Sequence, residues 1–278
     1  MITHPEKVLF PDDGITKGEL AAYYDAVAPV MLPHLRRRPI TMERFPGGIG
    51  AKGFIQKDVV KGFPAWLARV EAPKKGGTVH YALAGNRRSL QWLANQNAVT
   101  LHVWPSRAPR IDRPDLCVLD LDPSRDHPGS LRGAMRALRE VLDGLGLASW
   151  VKTSGSKGYH VVVPLPPRAT FATSAALADR VAGMLVERLP DHLTQAFSKA
   201  ERGGRIYIDT ARNRPGATFA AAYTVRARPG APVSAPCTWE EIEQGAAEPR
   251  AFTLRTMAGR LASVGDLWAE LGRTRRRR

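Results

Sequence analysis

Seven residues, LCVLDLD from Leu116 to Asp122, constrain this chain more than any other stretch. Their apolar run specifies a strongly buried strand. Residues i and i+2 of a strand share a face, roughly 6.5–7 Å apart along the chain. Asp120 and Asp122 therefore point one way, and Leu119 and Leu121 point the other way into a core. Two like charges held that close raise each other's pKa unless a cation intervenes. The stretch is either a strand giving way to a polar Asp-Pro turn or part of a divalent-metal site, for which Mg²⁺ or Mn²⁺ suits the oxygen ligands.

Two further stretches bear on that choice. GGRIYIDT reads as a strand ending in a carboxylate, Asp209. If it lies beside the first strand, three carboxylates converge, the ligand set for two divalent ions about 3.5–4 Å apart in phosphoryl transfer. Otherwise Asp209 simply caps a strand. WVKTSGSKGYHVVVPL reads as strand, Gly/Ser turn, strand, which is a β-hairpin. Gly155 and Gly158 permit close backbone approach, and Ser154, Ser156, Lys157 and His160 offer donors that suit a triphosphate. The bland alternative is a hairpin turn with an exposed lysine. The chain has no Walker A loop, H-E-x-x-H or G-x-S-x-G. GIGAKG, Gly48 to Gly53, matches a dinucleotide-binding pattern, but it neither follows a strong strand nor opens a helix.

The remaining pattern alternates helices with strands. Thr16 and Glu19 form a capping box ahead of one helix, and Thr238 and Glu241 form another. RRSLQWLANQNAV is a helix with Leu90, Leu93 and Trp92 toward the core, and TSAALADRVAGMLVERL is an amphipathic helix. Gly129 to Leu147 carries Leu131, Met135, Leu138, Val141, Leu142 and Leu145 at helical spacing. FIQKDV and TLHVWPS read as strands, and ATFAAAYTVRARPGAPVS reads as a strand running into a loop. Pro33 to Gly53 is a Pro/Gly/Arg-rich stretch. The fold class is α+β (α/β mixed), with a mixed sheet. Residues 1–270 are expected to form a single domain, followed by a basic tail over 271–278.

The net charge is +15, and the chain ends in RTRRRR. That balance favours a polyanionic partner, nucleic acid above a membrane surface. Two cysteines, Cys117 and Cys237, stand far apart, so a disulfide framework is not expected. No apolar leader or long apolar run is present, and the expected setting is the cytoplasm. Cations with interleaved aromatics gather early in the chain: Lys7 and Lys17, then Lys52, Phe54, Lys57, Lys61 and Phe63. Such groups neutralise phosphates and stack bases, or form a solvated basic face over core aromatics. His102 is either a phosphate donor or a strand histidine. Arg212, Arg226 and Arg228 follow Asp209 closely enough to face the same cleft.

Six motifs in order carry a resemblance: KVLFPDDGITKGELAAYY, LHVWPS, VLDLDPS, VKTSGSKGYHVVVPL, IYIDTARN and YTVRARPGAPVS. Together they resemble the polymerase domain of bacterial ligase D, of the archaeo-eukaryotic primase superfamily, which serves non-homologous end joining. The resemblance implies a primase-like catalytic core of mainly antiparallel mixed sheets flanked by helices. It implies that Asp120, Asp122 and Asp209 bind two Mn²⁺ or Mg²⁺ ions, and that Ser154, Lys157 and His160 bind the nucleotide. His102 and Arg226 match further triphosphate contacts. Lys7 and Lys17 match a pocket for a DNA 5′-phosphate, and Phe54 matches a template-stacking aromatic, with Ile55 where relatives often carry a second. The implied activity is templated gap filling and end extension with NTPs preferred over dNTPs, with ligase and Ku-type partners and a nucleoid-associated location. A two-metal nuclease and a non-catalytic module recognising a 5′-phosphate are the competing classes.

Overall fold

The computed structural model describes residues 2–59, 62–124 and 130–274. In chain order the first half holds β1 (Val8–Phe10), β2 (Ile15–Thr16), α1 (Lys17–Ala26), α2 (Ala28–Leu35), β3 (Ile40–Arg44), β4 (Phe54–Gln56), β5 (Arg69–Lys74), β6 (Gly77–Ala82), α3 (Arg87–Asn95) and β7 (Ala98–Val103). There follow β8 (Leu116–Asp122), α4 (Leu131–Gly144), β9 (Trp150–Thr153), β10 (Tyr159–Pro164), α5 (Phe171–Arg188), β11 (Leu193–Thr194) and β12 (Ile206–Asp209). The last are β13 (Phe219–Ala220), β14 (Pro236–Cys237), α6 (Trp239–Glu243), α7 (Met257–Val264) and α8 (Ala269–Thr274). Among the described residues the fold is α+β, with antiparallel pairing throughout the two large sheets except for the parallel pair β11–β12.

Contacts gather the chain into two compact units that it enters in turn. The first comprises residues 1–111, 218–235 and 252–266, and the second 112–217, 236–251 and 267–278. In the first unit β13-β7-β3-β6-β5 form a sheet, with β4 also on β3. Strand β3 lies within the Pro/Gly/Arg-rich stretch, where Ile40, Thr41 and Met42 are buried. Both cap signals operate: Thr16 and Glu19 exchange bonds at the start of α1, as Thr238 and Glu241 do at α6. Leu90 and Leu93 of α3 are fully buried, whereas Trp92 is only half-buried and packs its ring against Phe63, centroids 4.6 Å apart. The strand expected around ATFAAAYTV is confined to Phe219–Ala220, because Tyr223 takes φ 67° and turns the chain out of the ladder.

In the second unit the order is β11-β12-β8-β10-β9-β14. Strand β8 is central, as its apolar run requires. The face carrying Cys117, Leu119 and Leu121 packs on α5, where the Cys117 thiol meets the Ser174 carbonyl at 3.6 Å. Burying Leu119 and Leu121 completely contributes about 3–6 kcal/mol. Repulsion between carboxylates ~7 Å apart costs about 2 kcal/mol at an effective dielectric of ~20. The strand therefore carries both acids on its other face and still folds. Helix α4 is seen from Leu131, capped by Ser130, and its expected start at Gly129 lies outside the described residues, as do Lys61 and the last four residues of the basic tail.

Candidate active site

Strand register builds the site in the second unit. β12 runs antiparallel beside β8, with Asp209 directly opposite Asp120 and Tyr207 opposite Asp122. On the other flank of β8, strand β10 places His160 opposite Asp120. Directly opposed residues project to the same face, so Asp120, Asp122, Asp209 and His160 share one surface. His160 Nε2 lies 3.4 Å from Asp120 Oδ1. The Arg212 guanidinium spans two of the acids, with Nε 3.3 Å from Asp120 Oδ2 and Nη2 2.9 Å from Asp209 Oδ2. Asp209 Oδ1 accepts from the Ala211 amide at 2.9 Å, which fixes the turn that brings Arg212 back over the sheet.

Electrostatics separates the two neighbouring aspartates. Burial pushes the Asp120 carboxyl up, but His160, then Arg212 and Lys152, outweigh it and hold it well below the usual carboxylate range. Asp122 is raised, first by burial and then by the Asp120 charge, with Lys157, Arg202 and Arg212 offsetting part of the rise. Arg212 is raised too: burial lowers it, and Asp120 and Asp209 more than compensate. Among the described residues no three His, Cys, Asp or Glu side chains stand at ligand spacing as they are, and Arg212 bridges two of the acids. The donor set nonetheless suits a hard divalent ion: three carboxylates on one sheet face, with the cations around Asp122 offsetting its burial and the Asp120 charge only in part.

The hairpin turn closes on itself. Ser154 Oγ accepts from the amides of Ser156 and Gly158, both at 3.1 Å, and the Ser154 amide donates to Gly158 O at 2.9 Å. A Cβ on Gly158 would stand 1.7 Å from the Leu121 carbonyl oxygen, so only glycine lets this turn lie against β8 beside Asp122. Lys157 is exposed at the tip, while Ser154 and His160 are buried.

The remaining candidate residues belong to the first unit. His102 lies on β7 opposite Thr41 of β3, and its Nε2 is 3.9 Å from Glu43 Oε2. The adjacent His102 lowers the Glu43 carboxyl against burial, and Arg226 adds to it. His102 and Arg226 thus both act on Glu43, while Arg228 is exposed. Lys7, just before β1, and Lys17, the first residue of α1, are neighbours, and the Lys17 amide donates to Lys7 O at 2.7 Å. Lys17 is 3% exposed, and its ammonium donates to Thr3 O at 2.6 Å. Burial, then the Lys7 charge, lowers its pKa. Phe54 is 46% exposed and Ile55 55%, with the Arg44 guanidinium 5.3 Å from the Phe54 ring centroid.

Sequence reading did not single out Lys152, Glu43 or Asn213. Asn213 is fully buried, accepts from the Val118 amide at 2.8 Å and donates to Val118 O at 2.7 Å. It thereby ties the turn after β12 to β8. Its only sequence signal is its place in IYIDTARN, four residues past Asp209.

The sheet thus brings three acids, a histidine and an arginine together on one face beside a turn that holds two glycines. The sequence model of the LigD primase-polymerase domain matches residues 16–268. The chain is 35% identical over 97% of its length to the multifunctional non-homologous end joining protein LigD of Mycolicibacterium smegmatis, and covers 36% of that protein. It is 29% identical to the bifunctional LigD of Bacillus subtilis, over 95% of this chain and 42% of that one. Its fold superposes on the polymerase domain from Mycobacterium tuberculosis ligase D in complex with DNA with a TM-score of 0.91 at 32% identity, covering 98% of this chain and 97% of that one. The chain belongs to the LigD primase-polymerase domain family. It spans between a third and a half of the length of these LigD proteins.

Proposed function

We propose that the chain extends DNA primers by templated, metal-dependent nucleotidyl transfer, filling gaps and lengthening ends during break repair. The observation that supports this most is the register that sets Asp209 opposite Asp120, with Asp122 next along the same face. In this reading Asp120, Asp122 and Asp209 hold two Mn²⁺ or Mg²⁺ ions. When bound, such ions supply the charge that activates a primer 3′-OH and stabilises the departing pyrophosphate. The protein's own work is alignment and charge neutralisation. His160 and Lys157 bind the triphosphate, and Ser154 shapes the turn that presents them.

The family resemblance extends the proposal. His102 and Arg226 are further triphosphate contacts, Lys7 and Lys17 take the 5′-phosphate at the far side of a gap, and Phe54 stacks on the template. NTPs are used in preference to dNTPs, and sealing and end-holding come from a ligase and a Ku-type partner. The test is a gapped duplex with and without its 5′-phosphate, supplied with Mn²⁺ and each nucleotide type. Primer extension that needs metal, prefers NTPs and responds to the 5′-phosphate is expected. Strand cleavage in its place would mark a two-metal nuclease, and phosphate-dependent binding without synthesis would mark an end-binding module.

A further inference from the structure

The carboxylate face continues one strand further than the site requires. Lys152 of β9 lies opposite His160 of β10, which lies opposite Asp120 of β8, which lies opposite Asp209 of β12. Four ionisable side chains thus form one transverse row across four strands. Lys152 is fully buried and His160 is 4% exposed. Lys152 Nζ stands 2.6 Å from His160 Nδ1, and on the ring's far side Nε2 faces Asp120. A buried lysine needs a partner that repays its desolvation, and an ammonium carries donors only. With Lys152 as the ammonium, Nδ1 is the acceptor and the proton of a neutral ring lies on Nε2, because the bond at one ring nitrogen sets the state of the other.

We propose that Lys152 is a positioning residue for nucleotide binding: it fixes the rotamer and tautomer of His160, keeping a donor at Nε2 turned toward the carboxylate face. The inference rests on the reading of His160 as a triphosphate contact. Lys152 acts through His160 and touches no substrate. Its loss therefore raises KM for the nucleotide with less effect on kcat.

The test compares Lys152→Met, His160→Ala and the double variant, with nucleotide affinity, KM and kcat measured beside histidine ¹⁵N spectra. In the wild-type protein the His160 spectrum should show a proton on Nε2 and an accepting Nδ1. Lys152→Met should lose that signature and weaken nucleotide binding roughly tenfold, the scale of one charged hydrogen bond. Added to His160→Ala, it should weaken binding no further. A folded Lys152→Met protein with wild-type affinity and an unchanged His160 spectrum would overturn the proposal. If that variant does not fold, the wild-type spectrum decides alone, and a proton on Nδ1 overturns it. His160→Ala with undiminished nucleotide binding would instead remove the triphosphate reading of His160, while the spectrum still reports whether Lys152 sets the ring.

Discussion

At Asp120 the facing His160, Arg212 and Lys152 together outweigh burial, whereas at Asp122 burial and the Asp120 charge prevail, so the two carboxylates contribute to stability with opposite sign. The depressed Asp120 adds stability above the ordinary carboxylate range, and this is lost as the pH falls through its folded pKa. In metal-free protein Asp120→Asn should be less stable than wild type at neutral pH, and the gap should close in acid. Asp122 binds its proton more tightly when folded, so its stabilising form is the protonated one, lost as pH rises through the raised pKa. Asp122→Asn should be the more stable protein at neutral pH, with the advantage vanishing in acid. Urea unfolding in EDTA from about pH 8 down to about pH 1 follows both curves through their transitions. Either substitution should lower primer extension at least about a hundredfold. Gly158→Ala drives a methyl into the Leu121 carbonyl and should cost about 2–3 kcal/mol in the same assay.

Among the elements, the helix starts were readable because capping is local: Thr16 and Glu19, or Thr238 and Glu241, sit within one turn of each other. Thr16→Ala should cost about 1 kcal/mol of unfolding free energy. Strand β3 was not readable, since its alternation is short and set among prolines and glycines, and burial against β7 and β4 completes it. The turn after β12 depends on a single side chain. Asn213→Ala would leave the Val118 amide and carbonyl without their shared partner. A loss of about 2–3 kcal/mol is expected, together with reduced extension, because Arg212 and Asp209 hang on the same turn.

For the whole chain, the charge of +15 predicts that the DNA binding proposed for it depends on salt. Log affinity for a 5′-phosphorylated gapped duplex should fall linearly with log salt, by about 0.9 for each phosphate neutralised. Lys7→Ala should lower that slope by about one and remove the advantage of the 5′-phosphate, measured by fluorescence anisotropy at several salt concentrations. Among the described residues no helix is long and apolar enough to cross a membrane. Cys117 and Cys237 are both buried, and burial pushes the Cys117 thiol up to about 12, so neither side chain is placed to react.

The sequence by itself determined the acidic strand, the glycine turn and the capped helices, because alternation, turn chemistry and capping act over a few neighbouring residues. It also placed Asp120 and Asp122 on one face through the period of the strand. Only the tertiary structure decided that Asp209 stands opposite Asp120, that Arg212, 92 residues further along, bridges the two, and that Lys152 completes the row behind His160. Those placements follow from strand order and register between segments far apart in the chain. Register is set when whole strands pack their buried faces together on α5 and on each other, and no short stretch of sequence carries it.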